Sequence, residues 1–149
     1  MLPFKQPITT DGVVMVESSK LNLEKENTKD IDNTQIYFSD EDDNVVFLMS
    51  IRRAEGQIVF NTELDGTFGK EERISLGNRF KGTNPLVLVH DQGDGYEVSI
   101  DWIHAHWFQK RTKVPAMSIS YSVNKGQNPV LSNDLTVQVY SSFKELFHR

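Results

Sequence analysis

The sequence predicts an all-β protein built as a sandwich or barrel of antiparallel strands. Three observations support this fold class. Apolar and polar residues alternate with a period of two, turn-forming residues separate the alternating segments, and no segment carries a sustained apolar stripe of helical period. The chain has 149 residues, a length typical of one domain, and we assign residues 1–149 to a single domain.

The strands follow from the alternation. The clearest case is residues 47–52 (Phe-Leu-Met-Ser-Ile-Arg), where every second side chain is large and apolar. The same period predicts strands over residues 57–62, 85–89, 96–102, 117–123 and 135–140. Turn formers such as Asp65-Gly66 lie between them, because aspartate and glycine tolerate the backbone of tight reversals. The segment from Leu76 to Phe80 is the one helix-like candidate, long enough for a single turn.

Composition excludes several classes of protein. The formal charge is −5, whereas nucleic-acid binding requires a basic surface that displaces counterions. The chain has no cysteine, which excludes disulfides, a thiol nucleophile, a zinc ribbon and an iron–sulfur cluster. The longest apolar run, residues 45–49, is too short to cross a bilayer, and the first residues lack the apolar segment of a signal peptide. We therefore expect a soluble protein of a reducing compartment, with no cofactor.

Three local clusters invite a metal or nucleic-acid hypothesis, and each has a simpler interpretation. The run Asp40-Glu-Asp-Asp-Asn44 is similar to half a calcium loop but lacks its glycine, so we expect a solvated acidic turn. His104 and His106 would face the same way on a strand, yet two ligands are too few for a metal site. The basic residues at 110, 111 and 113 lie near tryptophans, but on an acidic protein they indicate a solvated face.

The most informative stretch is residues 50–73. If three antiparallel strands lie here, their polar side chains share one face while Ile51, Ile58 and Phe60 point to the other. The candidate site on this face comprises Ser50, Arg52, Asn61, Phe68, Glu71 and Arg73.

These residue types suit a sugar. Guanidinium, carboxylate and amide groups match vicinal hydroxyls that both donate and accept, and Phe68 offers a plate for the C–H face of a pyranose. Glu71 between Arg52 and Arg73 would be oriented before a ligand arrives. The equally weighted alternative is an ordinary cross-strand ladder of charges on a solvated sheet.

At this point the sequence resembles the galectin family, and in particular the mushroom galectins. Galectins carry His-x-Asn/Ser-x-Arg, then Val-x-Asn, then Trp-Gly-x-Glu-x-Arg. The matching segments here are Leu48-Met-Ser-Ile-Arg52, Val59-Phe-Asn61 and Phe68-Gly-Lys-Glu71-Glu-Arg73. The resemblance extends over nearly the whole chain. It implies a jelly-roll sandwich of two antiparallel sheets with the glycan lying across the concave sheet.

Two positions depart from the family motif. Leu48 stands where galectins usually have the histidine that bonds the axial hydroxyl of galactose, and Phe68 replaces the tryptophan that stacks on the ring. This pattern resembles a branch of mushroom galectin-related lectins in which the tryptophan is replaced and N-acetylglucosamine oligomers are bound. The resemblance therefore implies a lectin for β-linked oligosaccharides whose preference is shifted towards chitooligosaccharide-type glycans.

Other functions remain open from the sequence. The chain could be a conventional galactoside-binding galectin, or an interaction module of the same fold that has lost sugar binding. A glycoside hydrolase is disfavoured, because it needs a carboxylic acid of raised pKa and two arginines would instead keep Glu71 ionised. The resemblance also implies glycoconjugate partners, a homo-oligomer (tetramer or dimer), and a cytoplasmic protein or one exported without a signal peptide.

Overall fold

The computed structural model describes residues 1–24, 32–124 and 128–147 and shows an all-β fold of two antiparallel sheets. The strands are β1 (Leu2–Ile8), β2 (Val13–Glu17), β3 (Thr34–Ser39), β4 (Val45–Arg52), β5 (Gln57–Leu64), β6 (Thr67–Phe68), β7 (Glu72–Ser75), β8 (Leu86–Asp91), β9 (Gly95–Ile100), β10 (Ile103–Gln109), β11 (Ala116–Val123) and β12 (Thr136–Tyr140). This confirms the predicted fold class, a jelly-roll sandwich.

The two sheets enclose one main apolar core. The seven-stranded sheet has the order β1-β11-β3-β4-β5-β6, with β7 also pairing with β5, and the five-stranded sheet has the order β10-β9-β8-β2-β12. Aromatic rings fill the space between them: Phe47 lies 5.1 Å from Phe38, 5.3 Å from Tyr96 and 5.5 Å from Phe108, centroid to centroid. On β4 and β5 the inward side chains are those that the alternation predicts, since Ile51, Ile58 and Phe60 are fully buried.

The predicted strands are present, with shifted ends. The strand expected over residues 96–102 stops at Ile100, because Asp101 (φ 50°) and Trp102 (φ 71°) form the tight turn into β10. A tryptophan with positive φ is uncommon, so nothing in the sequence marked this reversal. The predicted turn at Asp65-Gly66 is confirmed, with positive φ at both residues. The sequence Asn-Lys-Gly also predicts a turn at residues 124–126, and this turn lies mostly outside the described residues.

The helix expectation at Leu76–Phe80 is wrong. That segment is an irregular turn, and the helix of the described chain is α1 (Phe143–Leu146), capped by the Ser142 hydroxyl, which accepts from the Glu145 amide at 3.0 Å. Leu146 of α1 packs on Val13, Met15 and Leu88, on the outer face of the five-stranded sheet. No helix of the described residues is long and apolar enough to cross a membrane.

The two histidines of β10 do not face the same way. A β-bulge shifts the register between them, so that His104 pairs with Ser99 and His106 with Val98. His104 is exposed, whereas the His106 ring stacks on Phe60 with centroids 4.3 Å apart. The described residues contain no cluster of three metal-ligating side chains. The acidic run forms the expected turn between β3 and β4, closed by Asp40 Oδ1, which accepts from the Asn44 amide at 3.0 Å.

A buried ion pair joins Asp32, two residues before β3, to Arg53, the residue after β4. Arg53 Nε donates to Asp32 Oδ2 at 2.9 Å and Nη2 donates to Asp32 Oδ1 at 2.7 Å, and neither side chain has measurable exposure. The remaining guanidinium donors reach the backbone carbonyls of Asn22 at 3.2 Å and Asn128 at 2.5 Å. One arginine therefore joins three separate parts of the chain.

We expect Arg53→Met to unfold far more easily than the wild type, because it leaves the Asp32 carboxylate buried without its partner. Breaking a buried pair in this way costs about 3–5 kcal/mol, to be measured as a free energy of unfolding in urea. The double variant Arg53→Met with Asp32→Leu is the matched control, since it removes both charges and should recover much of the loss. Equal stability of the Arg53→Met variant and the wild type would contradict this assignment.

Candidate binding site

The predicted site residues lie on adjacent strands at one end of the seven-stranded sheet. Ser50 and Arg52 are on β4, Asn61 is on β5, and the β6–β7 segment carries Phe68, Glu71 and Arg73. Both β6 and β7 pair with β5, Arg73 being opposite Val59 and Phe68 opposite Glu63. The sheet register thus brings these side chains to one polar face, away from the core.

Four charged groups form a closed ring on this face, which we call the charge ring: Arg52, Glu71, Arg73 and Glu55. Arg52 Nη2 lies 3.3 Å from Glu71 Oε2, and Arg73 Nη2 lies 2.7 Å from Glu71 Oε1. On the other side, Glu55 Oε2 is 3.5 Å from Arg52 Nη1 and its Oε1 is 3.0 Å from Arg73 Nη1. Each arginine bridges two carboxylates, so the ring fixes all four rotamers.

The charge ring determines the ionisation of Glu71. The hydrogen bond from Arg73 lowers the pKa of the Glu71 carboxyl most, burial opposes this, and the charge of Arg52 lowers it further. The same contacts with Glu71 and Glu55 raise the pKa of Arg73. Glu71 is therefore an acceptor of hydrogen bonds rather than the protonated acid that glycosidic cleavage requires.

Ser50 lies behind the site rather than at its surface. It has no exposed area, its hydroxyl donates to Asn33 Oδ1, and it accepts from Arg52 Nε at 3.2 Å. Its role in the free protein is to orient the Arg52 guanidinium. The alternation of β4 predicted the face of Ser50 correctly but carried no information about its depth.

The two apolar residues of the site, Phe68 and Leu48, differ in how far they are exposed. Phe68 is 60% exposed and forms a free-standing plate at the edge of the sheet. Leu48 pairs directly with Asn61 and is only 7% exposed, so it lines the floor of the polar face rather than projecting from it. An open cleft of about 540 Å³ lies beside Phe68 and is lined by Thr62, Glu72 and Arg111, and by none of the charge-ring residues.

Several contributors to the site were not anticipated. Glu55 lies in the turn between β4 and β5, which is closed by the Gly56 amide donating to the Arg53 carbonyl at 3.0 Å, and a turn has no alternation from which its contribution could be predicted. Gln57 Oε1 accepts from Arg73 Nη1 at 2.6 Å. Gln57 could have been predicted from the sequence, because it lies four residues before Asn61 on β5 and therefore points to the same outward face. It pairs with Ser75 of β7.

Two of the three residues of the basic cluster after β10, Lys110 and Arg111, are paired with carboxylates. Lys110 Nζ lies 2.8 Å from both oxygens of Asp91, and Arg111 Nη2 lies 3.0 Å from Glu72 Oε2. These partners offset the positive charge that nucleic-acid binding would use. The cluster is thus mainly internal to the fold, although Arg111 contacts the candidate site.

We expect the stabilisation by Glu71 to disappear in acid. Because its pKa is lower in the folded chain than in the unfolded chain, the contribution is complete above the ordinary glutamate value and is lost as the pH falls through the folded value. The free energies of unfolding of the wild type and Glu71→Gln, measured in urea, should therefore differ near pH 7 and converge as the pH falls below the ordinary glutamate value and through the lower folded one. A difference that stays constant over this range would contradict the ionised assignment.

Comparison with known proteins places the chain among lectins. The sequence profile of the galactoside-binding lectin family matches residues 2–128. Galectin-1 of Coprinopsis cinerea is 35% identical over 108 residues, covering 72% of this chain and 70% of that protein. An anti-tumor lectin of Cyclocybe aegerita is 30% identical over 123 residues, covering 80% of this chain and 77% of that protein.

Solved structures share the fold at low sequence identity. Sheep galectin-11 in complex with glycerol superposes with a TM-score of 0.65 at 18% identity, covering 94% of this chain and 98% of that chain. A variant of human galectin-16 gives a TM-score of 0.64 at 17% identity, covering 94% and 96%. With the profile match over most of its length, the chain belongs to the galactoside-binding lectin family, the galectins.

Proposed function

We propose that the polar face of β4 to β7 binds β-linked oligosaccharides without cleaving them, with a preference shifted from plain β-galactosides to N-acetylglucosamine-containing or chitooligosaccharide-type glycans. The observation that carries the proposal is an intact charge ring beside two altered apolar positions, Leu48 and Phe68. Membership of a lectin family supports carbohydrate binding in general. The shift in preference rests on the two altered positions.

The charge ring suits hydroxyl groups. Its outer members, Glu55, Glu71 and Arg73, keep 36–39% of their side-chain area exposed while their rotamers are held by the ion pairs. A sugar therefore meets oriented donors and acceptors, and the protein loses little side-chain entropy on binding. Alternating guanidinium and carboxylate groups match vicinal hydroxyls, which donate to one neighbour and accept from the other.

Leu48 changes the balance between ring configurations. Its side chain neither donates nor accepts, and a hydroxyl desolvated against it without a partner loses about 1–3 kcal/mol. An axial hydroxyl directed at this floor pays that cost. A gluco-configured ring has only equatorial hydroxyls, and the methyl group of an acetamido substituent gains from apolar surface.

Phe68 acts with Leu48. It retains an aromatic face for the C–H side of a sugar ring and leaves more of the edge open than a larger indole would. Phe68 and the outer charge-ring residues lie on an exposed face that makes few contacts with a single sugar residue, so we propose that binding is strengthened by several sites on a homo-oligomer, dimer or tetramer.

Two other functions are kept as alternatives. The hydrogen-bonding residues Arg52, Asn61, Glu71 and Arg73 match the family motif, which favours conventional recognition of lactose or N-acetyllactosamine. The closed charge ring favours the third function, an interaction module without sugar binding, since its charges are already paired with one another.

Titration calorimetry with chitotriose, cellotriose, lactose and N-acetyllactosamine separates these functions. We expect chitotriose to bind at least about tenfold more tightly than lactose, the equivalent of one lost polar contact. Phe68→Ala should weaken chitotriose binding, while His104→Ala, on the outer face of the other sheet, should not. Tighter binding of lactose would support the conventional galectin and contradict the shifted preference, and a folded chain that binds none of these sugars would favour the interaction module.

The double variant Leu48→His with Phe68→Trp tests the source of the preference. By restoring a polar partner for an axial hydroxyl and a larger ring, it should raise lactose affinity by about tenfold and lower the ratio of chitotriose to lactose affinity. Circular dichroism is the control for folding, since Leu48 is largely buried. An unchanged ratio in a folded variant would remove these two residues as the cause.

A further inference from the structure

Arg111 reaches the binding face from the opposite sheet. It follows β10 of the five-stranded sheet, and its guanidinium carbon lies 4.9 Å from the centroid of the Phe108 ring. From there Nη1 donates to Asn61 Oδ1 at 2.8 Å and to Thr62 Oγ1 at 3.2 Å. Nη2 donates to the Lys70 carbonyl at 2.5 Å and to Glu72 Oε2 at 3.0 Å. A single planar group thus holds both β5 and the segment between β6 and β7.

Gly69 makes this approach possible. A Cβ atom at Gly69 would lie 2.6 Å from Arg111 Nη1, 3.0 Å from Thr62 Oγ1 and 3.2 Å from Asn61 Oδ1. Any side chain there would have to displace the guanidinium from Asn61. The close packing of these groups indicates a dedicated contact rather than a surface arginine that happens to lie nearby.

The contact determines which way the Asn61 amide points. Its Oδ1 accepts from both Arg111 Nη1 and the Thr62 amide, each at 2.8 Å, and its Nδ2 donates to the Gly69 carbonyl at 3.0 Å. If the amide were flipped, its nitrogen would face the two donors that now bond to Oδ1, and no hydrogen bond could form with either. Asn61 therefore offers a ligand one N–H group and no acceptor.

We propose that Arg111 is a positioning residue of the glycan site, which fixes Asn61 as a donor-only group and holds the segment carrying Phe68 and Glu71 against β5. The inference rests on the proposed function insofar as the polar face must bind a glycan. It adds a specificity rule to that function. At Asn61 the site recognises an acceptor oxygen of the sugar, such as an acetamido carbonyl or an accepting hydroxyl.

A purely structural role for Arg111 is the competing explanation, because its contact with Glu72 also joins the two sheets. His106 provides the control, since its Nε2 lies 2.8 Å from Glu72 Oε1 and, within the described residues, no hydrogen bond joins it to Asn61. His106→Phe keeps a ring to stack on Phe60 and removes the link to Glu72. It therefore weakens the joint between the sheets and leaves the Asn61 amide in place.

The experiment compares Arg111→Ala, Arg111→Lys and His106→Phe with the wild type. Affinity is measured by calorimetry with chitotriose and N-acetyllactosamine, and stability is measured in urea. We expect Arg111→Ala to lose at least about tenfold in affinity for the bound sugar, with Arg111→Lys intermediate because an ammonium cannot span Asn61 and Glu72 together. His106→Phe should remain within about twofold of the wild type even where its loss of stability is similar.

The side-chain amide of Asn61 gives a readout that a structural role alone would not move. In ¹H–¹⁵N spectra, assigned with Asn61→Asp, its two N–H signals should be distinct in the wild type and in His106→Phe and should shift and exchange faster in Arg111→Ala. Unchanged signals and affinity in Arg111→Ala would overturn the proposal, as would an equal loss of affinity in His106→Phe. A wild-type chain that binds none of the sugars while the Asn61 signals still respond would show that the proposed function, rather than the contact, had failed.

Discussion

The buried pair of Arg53 and Asp32 is the contact on which the geometry of the binding face depends. Asp32 precedes Asn33, whose side chain receives the Ser50 hydroxyl, and Ser50 in turn accepts from Arg52 Nε at 3.2 Å. A bond at the protein interior is thereby linked through two uncharged residues to a guanidinium at the surface. The buried pair cannot move apart without leaving a charge unpaired in the interior. The position of Arg52 at the surface is therefore fixed as well.

The binding face is supported from two directions. Below it, Asp32 and Ser50 fix the position of Arg52, which the charge ring joins to Glu71. From the side, Arg111 sets Asn61 and the backbone at Lys70. The first support comes from within the same sheet and the second comes from the other sheet, so the relative placement of the two sheets enters the geometry of the site. Such support by outer residues is what a preorganised site requires.

The sequence predicted the fold class and the membership of the binding face because both depend on a period of two. It placed Arg52, Glu71 and Arg73 together since residues of equal parity on paired strands share a face. The alternation tells which face of the strand a side chain lies on but not how deeply it is buried, which is why Ser50 was expected at the surface. Glu55 was missed because a turn has no such period, and Arg111 because 50 residues separate it from Asn61 in the chain.

Other misses have local causes. Strand β2 was not predicted because Val13 to Val16 are buried on both faces, the outer one partly by Leu146, so the alternation is absent. Strand β1 contains Pro3 and Pro7, which an edge strand tolerates and an inner strand does not. A β-bulge makes His104 and His106 face different ways, and a bulge leaves no regular pattern in the sequence that would predict it.

The charge ring is also electrically neutral as a unit, two cations balanced by two anions within 3.5 Å of each other. Opposite charges so close together cancel beyond a few ångströms, so little field extends into solvent. An approaching saccharide is accordingly neither drawn in nor repelled from afar. The rate of association then depends on diffusion and on the short-range fit of the hydroxyl groups, and ionic strength should have little influence on this rate.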